Sequence, residues 1–325
     1  MKRILTITGF VVLLCLVFVA GFLRLPYYAV GPGPAREVGP LIDVSGHQRY
    51  PSSGKFIMTT VRWYQVTPFQ ALLAWIDPNE SVVKQDVLYP PGVSVQQEQQ
   101  RSLSDMDQSK IDATYVVLSK LANYPKVHGR GALIEDSIAG CPAEGKLYSG
   151  DTILAIDQHH VRSADAASRL LQPIAAGAST DFQISAAGQT HDITVTKGRC
   201  PGESKPLFGI NLVDPFPFKV SIASGDIGGP SAGLMYALGL YDMLTPGDLT
   251  QGRTIAGTGT IDETGAVGPI GGITDKVVAA ERVGASIFLV PKDNWAELKG
   301  VDTGTMKLIE VSSFADAVKA LSAPA

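Results

Sequence analysis

The sequence contains no stretch of the form G-x-x-x-x-G-K-[ST], which argues against ATP binding by this chain. It also has no block of lysine and arginine, and its net charge is −4, so the basic footprint that nucleic-acid phosphates require is missing. There is no acidic or basic tail, internal repeat or low-complexity tract. Histidine is scarce: His47, His128, His159, His160 and His191 are all there are, and none follows residue 191. Cysteine is scarcer still, at positions 15, 141 and 200. No His/Cys cluster could hold a metal, so neither metal nor cofactor is expected.

Charge is also missing from one long run. Lys2 and Arg3 precede twenty uncharged residues, Ile4 to Leu23, which end at Arg24. As a helix this run is about 30 Å long, one hydrocarbon thickness. Phe18 and Val19 are bulky where a signal-peptide cleavage site wants small residues, so residues 1–25 are read as a retained anchor. The positive N-terminus should stay inside and the rest of the chain be exported, with Tyr27 and Tyr28 at the interface. Cys15 follows Leu14 and lacks the small neighbour expected of a lipid-attachment cysteine. Cys141 and Cys200 would then lie in an oxidising space where they could join; two separate thiols is the other reading.

After the anchor, "VGPGPAREVGP" reads as a Pro/Gly-rich spacer, giving a linker over 26–49. "GKFIMTTVRW" reads as a strand, Thr67-Pro68 opens a helix through "PFQALLAWI", and apolar spacing from Asp107 to Ala122 predicts a second helix. Residues of about 125–200 carry four short strands around one short helix, "ADAASRLLQ". From 205 to 322, strands and helices alternate, including helices over 231–244 and 273–284.

Gly229-Pro230-Ser231-Ala232-Gly233 has the G-x-S-x-G pattern of a nucleophile elbow, although a serine beside a proline also suits a plain helix start. An α/β-hydrolase needs its histidine after the serine, and here every histidine comes before it. A serine without histidine needs another base, and the usual one is a lysine held neutral by desolvation. Wound as a helix, "ITDKVVAAERVG" places Lys276 on one face with Ile273, Val277, Ala280, Val283 and Gly284. A lysine in that apolar stripe would have a lowered pKa, unless it snorkels from the edge of the face. Helix-start N–H groups and the glycines at 228, 229 and 233 would leave room for a substrate carbonyl and its oxyanion.

"CPAEGKLYSGDTILAIDQHHV" resembles a bacterial PDZ domain, which binds extended peptides at a sheet edge. "GGPSAGLMYAL", "AGTGTIDETGAVGPIGGITDKVVAAERVGA" and "IFLVPKDN" resemble the Lon-type serine protease domain, a Ser-Lys dyad family. That resemblance implies Ser231 as nucleophile and Lys276 as general base, with Gly229, Pro230 and Thr258 supporting the site or its oxyanion. Where many Lon enzymes carry acidic residues, this chain has Gly228, three positions before the serine, and Thr260 after "TG". "SLSDMDQSKIDATYVVLSKL" resembles the helix preceding the catalytic strands.

The fold expected is therefore α+β: one transmembrane helix, then a Lon-type proteolytic domain with an inserted PDZ-like domain. Residues 50–124 would pack with 205–322. The implied function is ATP-independent endopeptidase action on unstructured or exposed segments of exported or membrane-associated proteins, with catalysis outside the cytoplasm. Lon domains often form rings, so a homo-oligomer of open number is implied. A non-catalytic peptide-binding scaffold is the reading from another class, and an esterase or amidase using the same serine is a third.

Overall fold

A computed structural model describes residues 18, 20–89, 92–186 and 188–323. The expected anchor falls mostly on residues 1–17 and 19, outside those described; among the described residues no helix is long and apolar enough to cross a membrane.

The chain enters through β1 (Tyr27–Glu37), β2 (Ile42–Ser45) and β3 (Lys55–Gln65). The expected spacer is thus mostly strand, and the reason is local. β4 (Ser81–Lys84) pairs with β1 only from Tyr27 to Val30, so Pro32 and Pro34 lie beyond it and break no ladder on that side. A Cβ on Gly33 would fall 2.4 Å from Thr60 Oγ1, so β3 approaches there only because the residue is glycine. Helix α1 (Pro68–Ile76) starts at Thr67 with a capping box to Gln70, and a short α2 covers Gln85–Leu88. Helix α3 runs from Val95 to Leu121, three turns earlier than apolar spacing suggests, because "QQEQQRSLSDMD" is polar and is started by a Ser94–Gln97 capping box.

A smaller unit follows. Strands β5 (Ala132–Ser137), β6 (Thr152–Ile156), β7 (His159–His160), β8 (Ser179–Ala186), β9 (Gln189–Thr196) and β10 (Ile210–Val213) form one sheet ordered β10-β5-β6-β8-β9, with β7 on β6. Helix α4 (Ala164–Leu171) packs on it, over a core including Ile134, Phe182 and Phe208. The unit extends past residue 200, because β10 pairs with β5. Its two ends therefore meet: Gly129 N–H donates to Pro215 O at 2.8 Å, and the Tyr124 hydroxyl donates to Asp214 O. Cys141 and Cys200 are joined by a disulfide. Lys197, buried, donates to the carbonyls of Leu171, Gln172 and Ile174 and so closes the C-terminal end of α4.

The chain then returns through β11 (Lys219–Ile222), which pairs with β2, to α5 (Gly233–Leu244), β12 (Thr254–Gly257), the ribbon β13 (Thr260–Ile261) and β14 (Val267–Gly268), α6 (Ile273–Arg282), β15 (Ile287–Pro291), β16 (Lys307–Val311) and α7 (Phe314–Ser322). The main sheet is ordered β16-β15-β12-β3-β1-β4. It is mixed: β3, β12, β15 and β16 are parallel, and β1 pairs antiparallel with both β3 and β4. Side chains alternate along β3, so Phe56 and Met58 face one core with α3, α5 and α7, while Ile57 faces another with α6. Helices on both faces of a largely parallel sheet make this unit closer to α/β than the expected α+β.

The two units meet at a group of carboxylates. Burial, then the charges of Glu263, Asp262 and Asp136, raises Asp112 to about 7. Burial and a hydrogen bond to Glu263 raise Glu135 to about 8. Both groups hold protons more tightly folded than unfolded, so their contribution to stability is full in acid and is lost as pH rises through these values. Melting temperature is expected to fall between about pH 4 and 8 in a scan of the full chain, and Glu263→Gln should flatten that fall.

Candidate active site

Ser231 sits in a 3-10 turn, Pro230–Ala232, leading into α5, and its hydroxyl caps no helix. The turn is held from three sides. Gly229, at φ +83°, donates its N–H to Ser102 O at 2.6 Å. The buried Ser109 hydroxyl donates to Pro230 O at 2.9 Å. The Ser231 carbonyl accepts from Gly259 N–H and from the Thr258 hydroxyl, each at 2.9 Å. Close packing fixes the turn further: a Cβ on Gly228 would lie 2.2 Å from Ser102 Oγ, and one on Gly233 would lie 2.6 Å from Ser109 Oγ.

Lys276 reaches the same point from the opposite side. Gly272, at φ +68° and tight against Val61, starts α6, which lies on β1 and β3. Ile273, Lys276, Val277 and Ala280 are buried, as the helical spacing predicts, together with Ala279. Val283 and Gly284 are exposed instead, because the helix ends at Arg282 and Gly284 turns the chain away at φ +71°. Lys276 is 3% exposed and does not snorkel. Its Nζ lies 2.7 Å from Ser231 Oγ and 3.0 Å from Oγ1 of the fully buried Thr258. Burial alone lowers its pKa to about 7, with no neighbouring charge contributing.

Of the residues singled out in the sequence, Ser231, Lys276 and Thr258 come together within hydrogen-bonding distance. Gly229 and Pro230 shape the turn but are not donors toward a substrate: the Gly229 N–H is taken by Ser102, and proline has none. Thr260 lies in β13, opposite Gly268. The bracing by Ser102 and Ser109 was not read from the sequence. Its signal was two small hydroxyl residues seven apart, on one face of a helix, facing a glycine-flanked turn. Among the described residues no group of His, Cys, Asp or Glu could hold a metal ion.

Residues 219–322 match the family model described as the Lon protease (S16) C-terminal proteolytic domain. The chain is 40% identical over 83 residues to a Lon protease of Roseiflexus castenholzii, covering 26% of this chain and 10% of that protein. It is 41% identical over 83 residues to Lon protease 1 of Thermus thermophilus, with the same coverage of 26% and 10%, and 33% identical over 119 residues to the Lon protease of Rickettsia typhi, covering 35% and 15%. The chain thus spans only about a tenth of the length of the first of these relatives. Among solved structures, the PDZ domain of an SdrC-like protein from Listeria monocytogenes aligns at 20% identity and TM-score 0.24, covering 26% of this chain and 88% of that one. The similarity over the Ser231 and Lys276 blocks is therefore to a serine-protease domain of the Lon type.

Proposed function

We propose that this chain is an ATP-independent serine endopeptidase with Ser231 as nucleophile and Lys276 as general base. The observation that carries the reading is the 2.7 Å approach of Lys276 Nζ to Ser231 Oγ in a buried, charge-free setting. The Thr258 hydroxyl donates to the Ser231 carbonyl, so its oxygen is left to accept an N–H of Lys276. The lone pair of the neutral amine is thereby directed at Ser231 Oγ. That amine takes the hydroxyl proton as Oγ attacks a peptide carbonyl, then gives it to the leaving amine. Water hydrolyses the acyl-enzyme with the same base. The Ser231 N–H, at the start of the turn and so without an intrahelical acceptor, is the backbone donor placed for the oxyanion.

In this reading residues 1–25 anchor the chain and the rest lies outside the cytoplasm. The Cys141–Cys200 bond supports that placement, since disulfides persist in oxidising compartments. The smaller unit, read as PDZ-like, engages extended peptides through a sheet edge. Substrates are unstructured or exposed segments near the membrane, since the chain carries no ATP-binding motif to drive unfolding.

The test is cleavage of an unfolded protein and a fluorogenic peptide pool by the full chain without ATP. Cleavage products that disappear in Ser231→Ala support the reading; products that persist, or none from the folded chain, overturn it. The pH profile supplies a second expectation. Lys276 acts only when neutral, so kcat/KM should rise with a one-proton slope through about pH 7 and then level off.

A further inference from the structure

Helix α1 is built inside out. Its small residues Ala71 and Ala74 face the protein, against Ala29, Val66 and Val82. Its bulky ones, Phe69, Leu72, Leu73, Trp75 and Ile76, are each at least half exposed, and Trp75 is 80% exposed. The helix carries no charged residue from Pro68 to Ile76. Phe69, Leu72, Leu73 and Ile76 follow i, i+3, i+4, i+7 spacing and form one continuous stripe with Trp75 beside it. Solvent-facing helices normally put charge where this one puts leucine, and an apolar patch of this kind marks a surface meant to be covered.

Its place in the fold indicates what covers it. The uncharged run Ile4–Leu23 ends at Arg24, and Arg24 and Leu25 are bound to the base of α1. Arg24 Nη1 donates to Gln65 O at 2.7 Å and to Gln70 Oε1 at 3.4 Å. Leu25 N–H donates to Val66 O at 2.9 Å, and Gln65 Nε2 donates to Leu25 O at 3.0 Å. The apolar stripe is therefore tied within a few residues to the point where the chain leaves the uncharged run. At the far end of α1, Asp77 accepts from Asn79 N–H as the chain turns back toward β4, so the helix lies as a short bar between two returns to the sheet.

We propose that α1 is an interfacial membrane helix that beds Phe69, Leu72, Leu73, Trp75 and Ile76 into the headgroup region of the bilayer. This rests on the reading of residues 1–25 as an anchor. A helix lying in the interface plane beds its apolar face about 5–10 Å deep, and tryptophan favours that depth; here the protein covers the opposite face, where a free helix would carry charge. Two attachments, one spanning and one lying flat, fix the orientation of the β1–β4 edge against the membrane. The β16 edge, with Trp295 in the turn beside β15 and β16, is then directed away from it.

The run from Ile4 to Leu23 has no tryptophan, so the test can be made on the full chain. The chain is reconstituted into vesicles of mixed zwitterionic and anionic phospholipid, some carrying a shallow spin-label quencher. One variant keeps only Trp75 (Trp63→Phe, Trp295→Phe) and another only Trp295 (Trp63→Phe, Trp75→Phe). Trp75 emission should fall about twofold while that of Trp295 is unchanged. Adding Phe69→Gln, Leu72→Gln and Leu73→Gln to the Trp75 variant should restore emission without releasing the chain from vesicles. A chain that floats with the vesicles but leaves Trp75 unquenched overturns the proposal and leaves the anchor standing. A chain that does not float overturns the anchor and the proposal with it. Ready disulfide pairing between copies of Trp75→Cys in vesicles would show a second copy on this face, and also overturns it.

Discussion

Lys276→Met should abolish peptide cleavage and at the same time raise the melting temperature. The amine is 3% exposed and sits among Ile273, Val277 and Ala280, with its pKa lowered to about 7 by burial. The folded state therefore binds fewer protons at this site than the unfolded chain does. The cost is full below the folded pKa and disappears as pH rises toward the ordinary lysine value; it is on the order of 4 kcal/mol at neutral pH. Methionine fills much the same space without that cost. Ser231→Ala, Lys276→Met and the double variant should each lose about 10⁴-fold or more in kcat, with the double no worse than either single, because two groups that act as one unit are lost together. Calorimetry beside a peptide-cleavage assay checks both halves. An inactive Lys276→Met with a lowered melting temperature would mean that the lysine holds the fold, and would remove its activity loss as support for a general base.

Removing the Cys141–Cys200 bond should have the second-largest effect, and on the other unit. The two cysteines are 59 residues apart, and closing a loop of that length stabilises the folded state by about 4 kcal/mol in the chain-entropy account. Gly209, at φ +81°, lies so close that a Cβ there would fall 2.0 Å from Cys141 Cβ, which places the bridge beside the turn leading into β10. In Cys141→Ala/Cys200→Ala, hydrogen exchange should speed up first in β8, β9 and β10, while the amides of α5 and β12 remain protected. Small fluorogenic peptides should still be cleaved, and longer unfolded substrates less efficiently. Uniform loss of protection in both units would show that they unfold together.

How much of the molecule could be read in advance follows from the range of the forces involved. Lys276 was legible because one helical turn of sequence places it among apolar residues, and Ser231 because glycines surround it. Their meeting at 2.7 Å joins the turn before α5 to α6 across 45 residues, a distance that no local pattern of spacing can show. β1 was misread because Pro and Gly are weak strand formers, and nothing local says that β4 stops short and that Gly33 admits β3. The first turns of α3 were missed because their support comes from the Ser94 cap and from the contact of Ser102 with the serine turn, not from apolar spacing. The outward stripe of α1 can be read from spacing as an apolar face, but not as one turned away from its own sheet.

The pairing of Lys55 with Thr254, across an intervening unit whose strands pair only among themselves, also fixes an order of events. As the chain emerges from its N-terminus, residues 132–213 have all their strand partners once Val213 is out. β3 must wait for β12, and α3 for α5, before the larger core can close. Thr258 and Lys276 arrive later still. Ser231 therefore waits through 45 further residues of synthesis before Lys276 exists, and the proposed pair cannot form before then.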